Sequence, residues 1–202
     1  MYDYAANNPV RYIDPTGRNS EDDVAKEIGN TSKRKGVDLN LFPSEHPKDI
    51  LVTTESGKNI YTRTAANNAY RYAAMYYVGA HGSRNSVLSF GKDGMLQNGV
   101  RITPEKLVEM IRSDKKFHNQ PVVLWICETG KDPKNQNSDI ASFAQQVANC
   151  LGQKSIVIAS VSYCEFDSYI NELYFNGKLR KNRSYDVNPG EQYIFRGCTN
   201  EK

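Results

Sequence analysis

Met75-Tyr76-Tyr77-Val78-Gly79-Ala80-His81-Gly82 and Pro121-Val122-Val123-Leu124-Trp125-Ile126-Cys127-Glu128 are the stretches that decide how this chain folds. Each is a short, almost unbroken apolar run rich in β-branched or aromatic residues, the pattern of a strand buried on both faces. Residues 156–159 form a third such run. Helical patterns lie between them. Thr103 reads as an N-cap with Pro104 at the first helical position, and Leu107, Val108 and Ile111 line one face of the helix that follows. From Ser138 onward, Ile140, Phe143, Ala144, Val147, Ala148 and Leu151 recur at helical spacing until Gly152 ends the helix. Strand, helix, strand, helix, strand predicts an α/β domain with a central, mostly parallel sheet covered by helices.

Around this nucleus, Leu39, Leu41 and Phe42 alternate loosely before a Pro-Ser-Glu-His-Pro turn. Residues 50–54 and 59–62 flank Ser56-Gly57 as a hairpin. Alanines at 65, 66, 69, 73 and 74 predict a helix, and residues 87–90 a short strand. Residues 169–175 and 193–195 are expected as late strands, at an edge of the sheet. Residues 19–37 are polar and glycine-punctuated, and read as a linker or frayed helix. The main domain is therefore expected over 38–202.

The chain has 202 residues, 39% apolar and 24% charged, which suits one substantial core. Its net charge of +3 is too small to argue for a nucleic-acid or membrane partner. The basic patches Lys33-Arg34-Lys35 and 178–183 read as solvated loops. No run approaches the length needed to span a bilayer, and Met1-Tyr2-Asp3-Tyr4 does not start a signal peptide. Cysteines at 127, 150, 164 and 198 form no close pair and no metal-ligand spacing, and reduced thiols are expected, although two disulfides have three formal pairings.

Residues 1–18 differ from the rest. Asn7-Asn8-Pro9 and Asp14-Pro15-Thr16-Gly17 are turn formers around a strand-like piece at 10–13. The segment from Tyr4 through Val10-Arg11-Tyr12-Ile13 to Gly17 resembles the end of the RHS-repeat-associated core of polymorphic toxins, in which a β-rich shell encloses a variable C-terminal toxin. The resemblance implies that residues after Gly17 are the effector module, delivered as cargo of a larger protein by a specialised secretion system. Its partners would then be the parent shell and a cognate immunity protein, with self-cleavage near the motif. Met1 would mark an orphan cassette or a trimmed chain.

Binding sites in open parallel sheets lie beyond the carboxyl ends of strands. His81 and Cys127 each follow such an end, with enough chain between them for a hairpin, a helix and a return strand. A thiol needs a basic or positive neighbour to ionise near neutral pH, and histidine supplies one that can also protonate a leaving amine. Gly82 lets backbone approach a substrate carbonyl, and the N–H groups of Gly82 and Cys127 are the expected oxyanion pair. Against this stand the ordinary readings, a Cys as a small buried hydrophobe and a His as a satisfied loop residue. His46 and His118 read as surface residues.

Gly79-Ala80-His81-Gly82-Ser83, Asp93-Gly94, Val122-Val123-Leu124, Cys127-Glu128-Thr129-Gly130 and Ser142-Phe143-Ala144-Gln145-Gln146-Val147-Ala148 together resemble the caspase-like cysteine peptidases of clan CD. The resemblance implies a three-layer α/β/α caspase-like fold, with His81 and Cys127 as its dyad, a protein or peptide substrate, and no cofactor or metal. Glu128 departs from the family, since a carboxylate beside the thiol opposes ionisation unless it points away. Asp132, Asp139, Glu165 and Asp167 are candidates for an acidic substrate pocket, together with Glu128, and Arg84 for the opposite preference. Residues 131–138 form a polar rim. Tyr163, Phe166, Tyr169, Tyr174 and Tyr193 are candidates to line a groove, or to pack an edge strand. The expected function is a toxin-like cysteine endopeptidase. The alternatives are a non-catalytic binding module on the same fold and a nuclease toxin, for which the sequence offers no metal cluster, Walker motif or aromatic-basic surface.

Overall fold

The computed structural model describes residues 20–53, 57–131, 141–167, 186–188 and 192–197. It opens with helix α1 (Ser20–Ile28), strands β1 (Lys33–Lys35) and β2 (Leu39–Asn40), and a 3-10 turn at Pro47–Asp49. Strands β3 (Ile50–Thr53) and β4 (Asn59–Tyr61), helix α2 (Thr62–Asn68), and strands β5 (Tyr70–Tyr72), β6 (Tyr76–Gly79), β7 (His81–Ser83), β8 (Ser86–Ser89) and β9 (Val100–Ile102) follow. Helix α3 (Pro104–Arg112), strand β10 (Val122–Trp125), helix α4 (Phe143–Leu151), and strands β11 (Ile156–Ser160), β12 (Glu165–Asp167), β13 (Asp186–Asn188) and β14 (Gln192–Arg196) complete it.

The fold is mixed α/β. Its centre is a five-stranded sheet ordered β14-β11-β10-β6-β2. β2, β6, β10 and β11 run parallel, and β14 closes one edge antiparallel to β11. Side chains alternate across the sheet, as strand geometry requires. Tyr76, Val78, Val122, Leu124, Val157 and Ala159 join Leu107, Val108 and Ile111 of α3 and Phe143, Ala144 and Val147 of α4 in one apolar cluster. Tyr77, Val123, Trp125 and Ile158 face the other way, into a cluster with Val24 and Ala25 of α1 and Ala66 of α2. Burying each large apolar side chain is worth roughly 1.5–3 kcal/mol, so these two clusters dominate the fold's stability.

The predicted caps of α3 and the stop of α4 are present. Thr103 Oγ1 accepts the Lys106 N–H, Pro104 opens α3, and Gly152 ends α4 at a φ of 100°. The hairpin β3–β4 is present with a bulge between Ile50 and Val52. β14 takes the edge position expected for residues 193–195.

Other expectations are corrected. Of the two readings of residues 19–37, a linker or a frayed helix, residues 20–28 form a helix, and it is packed rather than frayed, because Val24 and Ala25 are buried and Glu21, also buried, accepts bonds from Tyr77 Oη, Trp125 Nε1 and Gln192 Nε2. Lys33-Arg34-Lys35 is a strand paired with β5, not a free loop. That pairing ends the alanine helix at Asn68, leaving Ala73 and Ala74 in the turn before β6. Leu39-Asn40 belongs to the central sheet. Residues 87–90 contribute to a separate three-stranded sheet, β7-β8-β9. The appended element at 1–18, Ile140, the patch at 178–183 and the strand expected at 169–175 lie outside the described residues. No helix among the described residues is long and apolar enough to cross a membrane.

Candidate active site

The parallel pairing of β6 with β10 sets Gly79 beside Trp125, so the chain leaves both strands at the same rim of the sheet. His81 stands just past the first end and Cys127 just past the second. Both line one cavity of about 320 Å³, together with Phe42, Leu51, Thr62, Ala80, Trp125 and Cys164. No carboxylate, lysine or arginine is among these described lining residues.

Cys127 lies in the turn directly after β10 and is partly buried. The backbone N–H of Cys164 donates to its Sγ at 3.4 Å, and Sγ lies 3.7 Å from the Cys164 carbonyl oxygen. Its thiol is held down to about 6. The side-chain hydrogen bond with Cys164 is the largest cause; burial opposes it, and the Cys164 backbone N–H and the His81 imidazole add to it. The Cys164 thiol is pushed up, first by that same bond and then by burial. Of the pair, Cys127 is therefore the thiol that ionises first and Cys164 its donor.

His81 opens β7 with its side chain 40% exposed, enough to meet a ligand in the cavity. Its ring sits edge-on to Phe42, with centroids 4.9 Å apart. Its Nε2 is bonded to Asp49 Oδ1.

Gly82 has a structural reason of its own. A Cβ there would overlap Cγ2 of Ile126, the buried residue before Cys127. What the missing side chain admits is Ile126.

Glu128 lies beside two cations. Its carboxylate lies 3.3 Å from Lys131 Nζ and 3.8 Å from Arg84 Nε. The backbone turns it there. Glu128 holds a φ of 55°, in the left-handed region that few non-glycine residues adopt. Its N–H is fixed by the Ser162 carbonyl at 2.8 Å. Glu128 raises the Cys127 thiol only as the smallest of the acting influences.

Arg84 is thus engaged with Glu128 rather than aimed at the cavity. Asp132, Asp139 and the side chains of Glu165 and Asp167 lie outside the described residues, as do the side chain of Phe166, Tyr169, Tyr174 and the rim beyond Lys131. Tyr163 is exposed, and Tyr193 packs against the core beneath α4. His46 caps the 3-10 turn with Nδ1, and His118 is exposed.

Two residues at the site were not singled out from the sequence, Asp49 and Cys164. A signal existed for Cys164, which follows β11 and so stands beyond the end of the third parallel strand, where the same rule applies. Asp49 had none, since it reaches His81 from a turn between two prolines' worth of loop and a hairpin. Cys127 and Cys150 are free thiols.

A family model described as Domain of unknown function (DUF8616) matches residues 37–171, a span that contains Asp49, His81, Cys127 and Cys164. No curated protein and no solved structure matches the chain. With that match over more than half of its length, the chain belongs to the family described as Domain of unknown function (DUF8616).

Proposed function

We propose that the chain is a cysteine endopeptidase of caspase-like architecture, carried as the effector of an RHS-type protein. The observation that carries this reading is a partly buried thiol that shares a cavity with a histidine and is held down to about 6 by its Cys164 and His81 neighbours. Helices packed on both faces of a mostly parallel sheet, with His81 and Cys127 past the ends of adjacent strands, are consistent with the three-layer caspase-like plan. The contacts of Glu128 with Arg84 and Lys131, and its place as the smallest influence on the Cys127 thiol, support the reading.

In this mechanism Cys127 Sγ attacks the peptide carbonyl carbon, and the C–N bond breaks as His81 gives the leaving amine its proton. A water, deprotonated by His81, then attacks the thioester and releases the acid and the thiol. The described lining offers apolar surface beside the thiol, which favours an uncharged side chain at the cleavage position.

The test compares wild type, Cys127→Ala and His81→Ala at equal expression in a susceptible bacterium. New protein N-termini are read by mass spectrometry alongside growth. Cleavage and growth arrest that need both side chains are expected. Equal toxicity from all three folded proteins, with no Cys127-dependent N-termini, overturns the reading.

A further inference from the structure

Asp49 ends the 3-10 turn Pro47–Asp49 with its side chain buried at 5% exposure. A carboxylate taken out of water costs several kcal/mol unless it is paired and hydrogen-bonded. Among the described residues, two rings approach it. Oδ1 is bonded to His81 Nε2, and Oδ2 lies 3.5 Å from His46 Nδ1. The two contacts differ in kind. His46 Nδ1 already accepts the Lys48 N–H at 3.2 Å, and a ring nitrogen that accepts carries no proton to give. His81 is therefore the imidazole that donates to Asp49.

The turn that carries Asp49 is itself fixed. The Asp49 N–H bonds the His46 carbonyl at 2.8 Å, and Thr62 Oγ1, at the start of α2, donates to the Asp49 carbonyl at 3.3 Å. Phe42 holds the His81 ring from another side.

We propose that Asp49 is the positioning residue of this site, holding His81 with its proton on Nε2 so that Nδ1 receives the proton of Cys127. Its charge then stabilises the imidazolium formed when the thiol ionises. The proposal rests on the peptidase reading for its effect on turnover, but its effect on the thiol does not depend on which substrate the thiol attacks.

The charged and titratable groups around the pair are Asp49 and His46 on the 3-10 turn, Glu128 with Arg84 and Lys131 beyond β10, and Cys164 beyond β11. Of these, Asp49 is the one bonded to His81. Its removal is separable from the others because Glu128 keeps its own cations and Cys164 keeps its bond to the sulfur.

The experiment follows Cys127 alkylation by iodoacetamide against pH in the full chain, for wild type, Asp49→Asn and Asp49→Glu, with peptide cleavage measured in parallel. Asp49→Asn is expected to raise the alkylation midpoint by about one pH unit, a roughly tenfold lower rate below it. Asp49→Glu, which keeps the charge, is expected to restore most of the wild-type profile. Long-range proton–nitrogen NMR on the wild-type chain checks the tautomer with no variant to fold, and a proton on Nε2 is expected. A folded Asp49→Asn with the wild-type midpoint, or a neutral His81 protonated on Nδ1, overturns the proposal. A chain that cleaves no peptide yet shows the shift overturns the peptidase reading and upholds the role of Asp49.

Discussion

The backbone N–H of Cys164 donates to Cys127 Sγ at 3.4 Å, while that same sulfur lies 3.7 Å from the Cys164 carbonyl oxygen. Ionisation exchanges the long S–H contact for a charge-assisted N–H bond to sulfur, which favours the thiolate. The side chain of Cys164 adds the largest share. Cys164→Ala should therefore raise the alkylation midpoint of Cys127 from about 6 toward the ordinary thiol value of 9.0. Cys164→Ser should keep the midpoint near the wild-type value, because a hydroxyl donates at least as well as a thiol. A midpoint near 6 in Cys164→Ala would assign the low value to another neighbour.

Glu128 acts on the same thiol with the opposite sign, raising it. Glu128→Gln removes that charge and leaves Arg84 and Lys131 uncompensated near the site. The Cys127 alkylation midpoint should fall below about 6, and more at low salt than at high, since these groups are partly exposed and screened. An upward shift would mean that Glu128 supports ionisation rather than opposing it.

Much of this site was legible because its positions follow from apolar runs. Tyr76–Gly79 and Val122–Trp125 need burial on both faces, and that need alone makes them central parallel strands with His81 and Cys127 past their ends. The cap at Thr103-Pro104 is local chemistry and was equally readable. What escaped depends on partners far along the chain. Tyr70–Tyr72 leaves the alanine helix because Lys33–Lys35 pairs with it, and nothing in either segment announces the other. Glu21 makes residues 20–28 look solvated, yet it is buried through donors on three strands. Asp49 belongs to the same class, a charge whose meaning lies in a contact with His81.

Glu21 gives a test of that buried chemistry. Burial pushes its carboxyl up, against the bonds from Tyr77, Gln192 and Trp125. A raised folded-state value means stability that is present below the unfolded value, 4.5, and lost as pH rises through the folded one. Glu21→Gln should abolish this loss. Its amide oxygen can keep the bonds from Trp125 and Gln192, and its N–H can donate to Tyr77 Oη, whose own proton has Met75 Sδ at 3.7 Å. Urea midpoints from pH 4 to pH 8 should converge at the acid end and separate above it, with the variant more stable. Glu21→Ala should instead lose stability at every pH, at about 1–3 kcal/mol for each donor left unpaired. Parallel curves for wild type and Glu21→Gln would show that Glu21 is charged throughout.

Gly82 ties the fold to the site most directly, because the space its side chain would fill holds Ile126 Cγ2. Ile126 is fully buried and β-branched, so its χ1 has little freedom to yield. In Gly82→Ala, β7 must lift away from the end of β10, carrying His81 with it. The expected cost is about 1–3 kcal/mol, seen as a lower urea midpoint at unchanged slope. The distinguishing measurement is the double-mutant cycle with Ile126→Ala. Both single changes destabilise, the second by leaving a cavity in the core. The pair should cost less than their sum, because each relieves the other's fault. The added methyl should also slow Cys127 alkylation near pH 6 in the single variant, with recovery in the double. Strict additivity, or a wild-type midpoint for Gly82→Ala, would mean that this contact does not set the distance between the two strand ends.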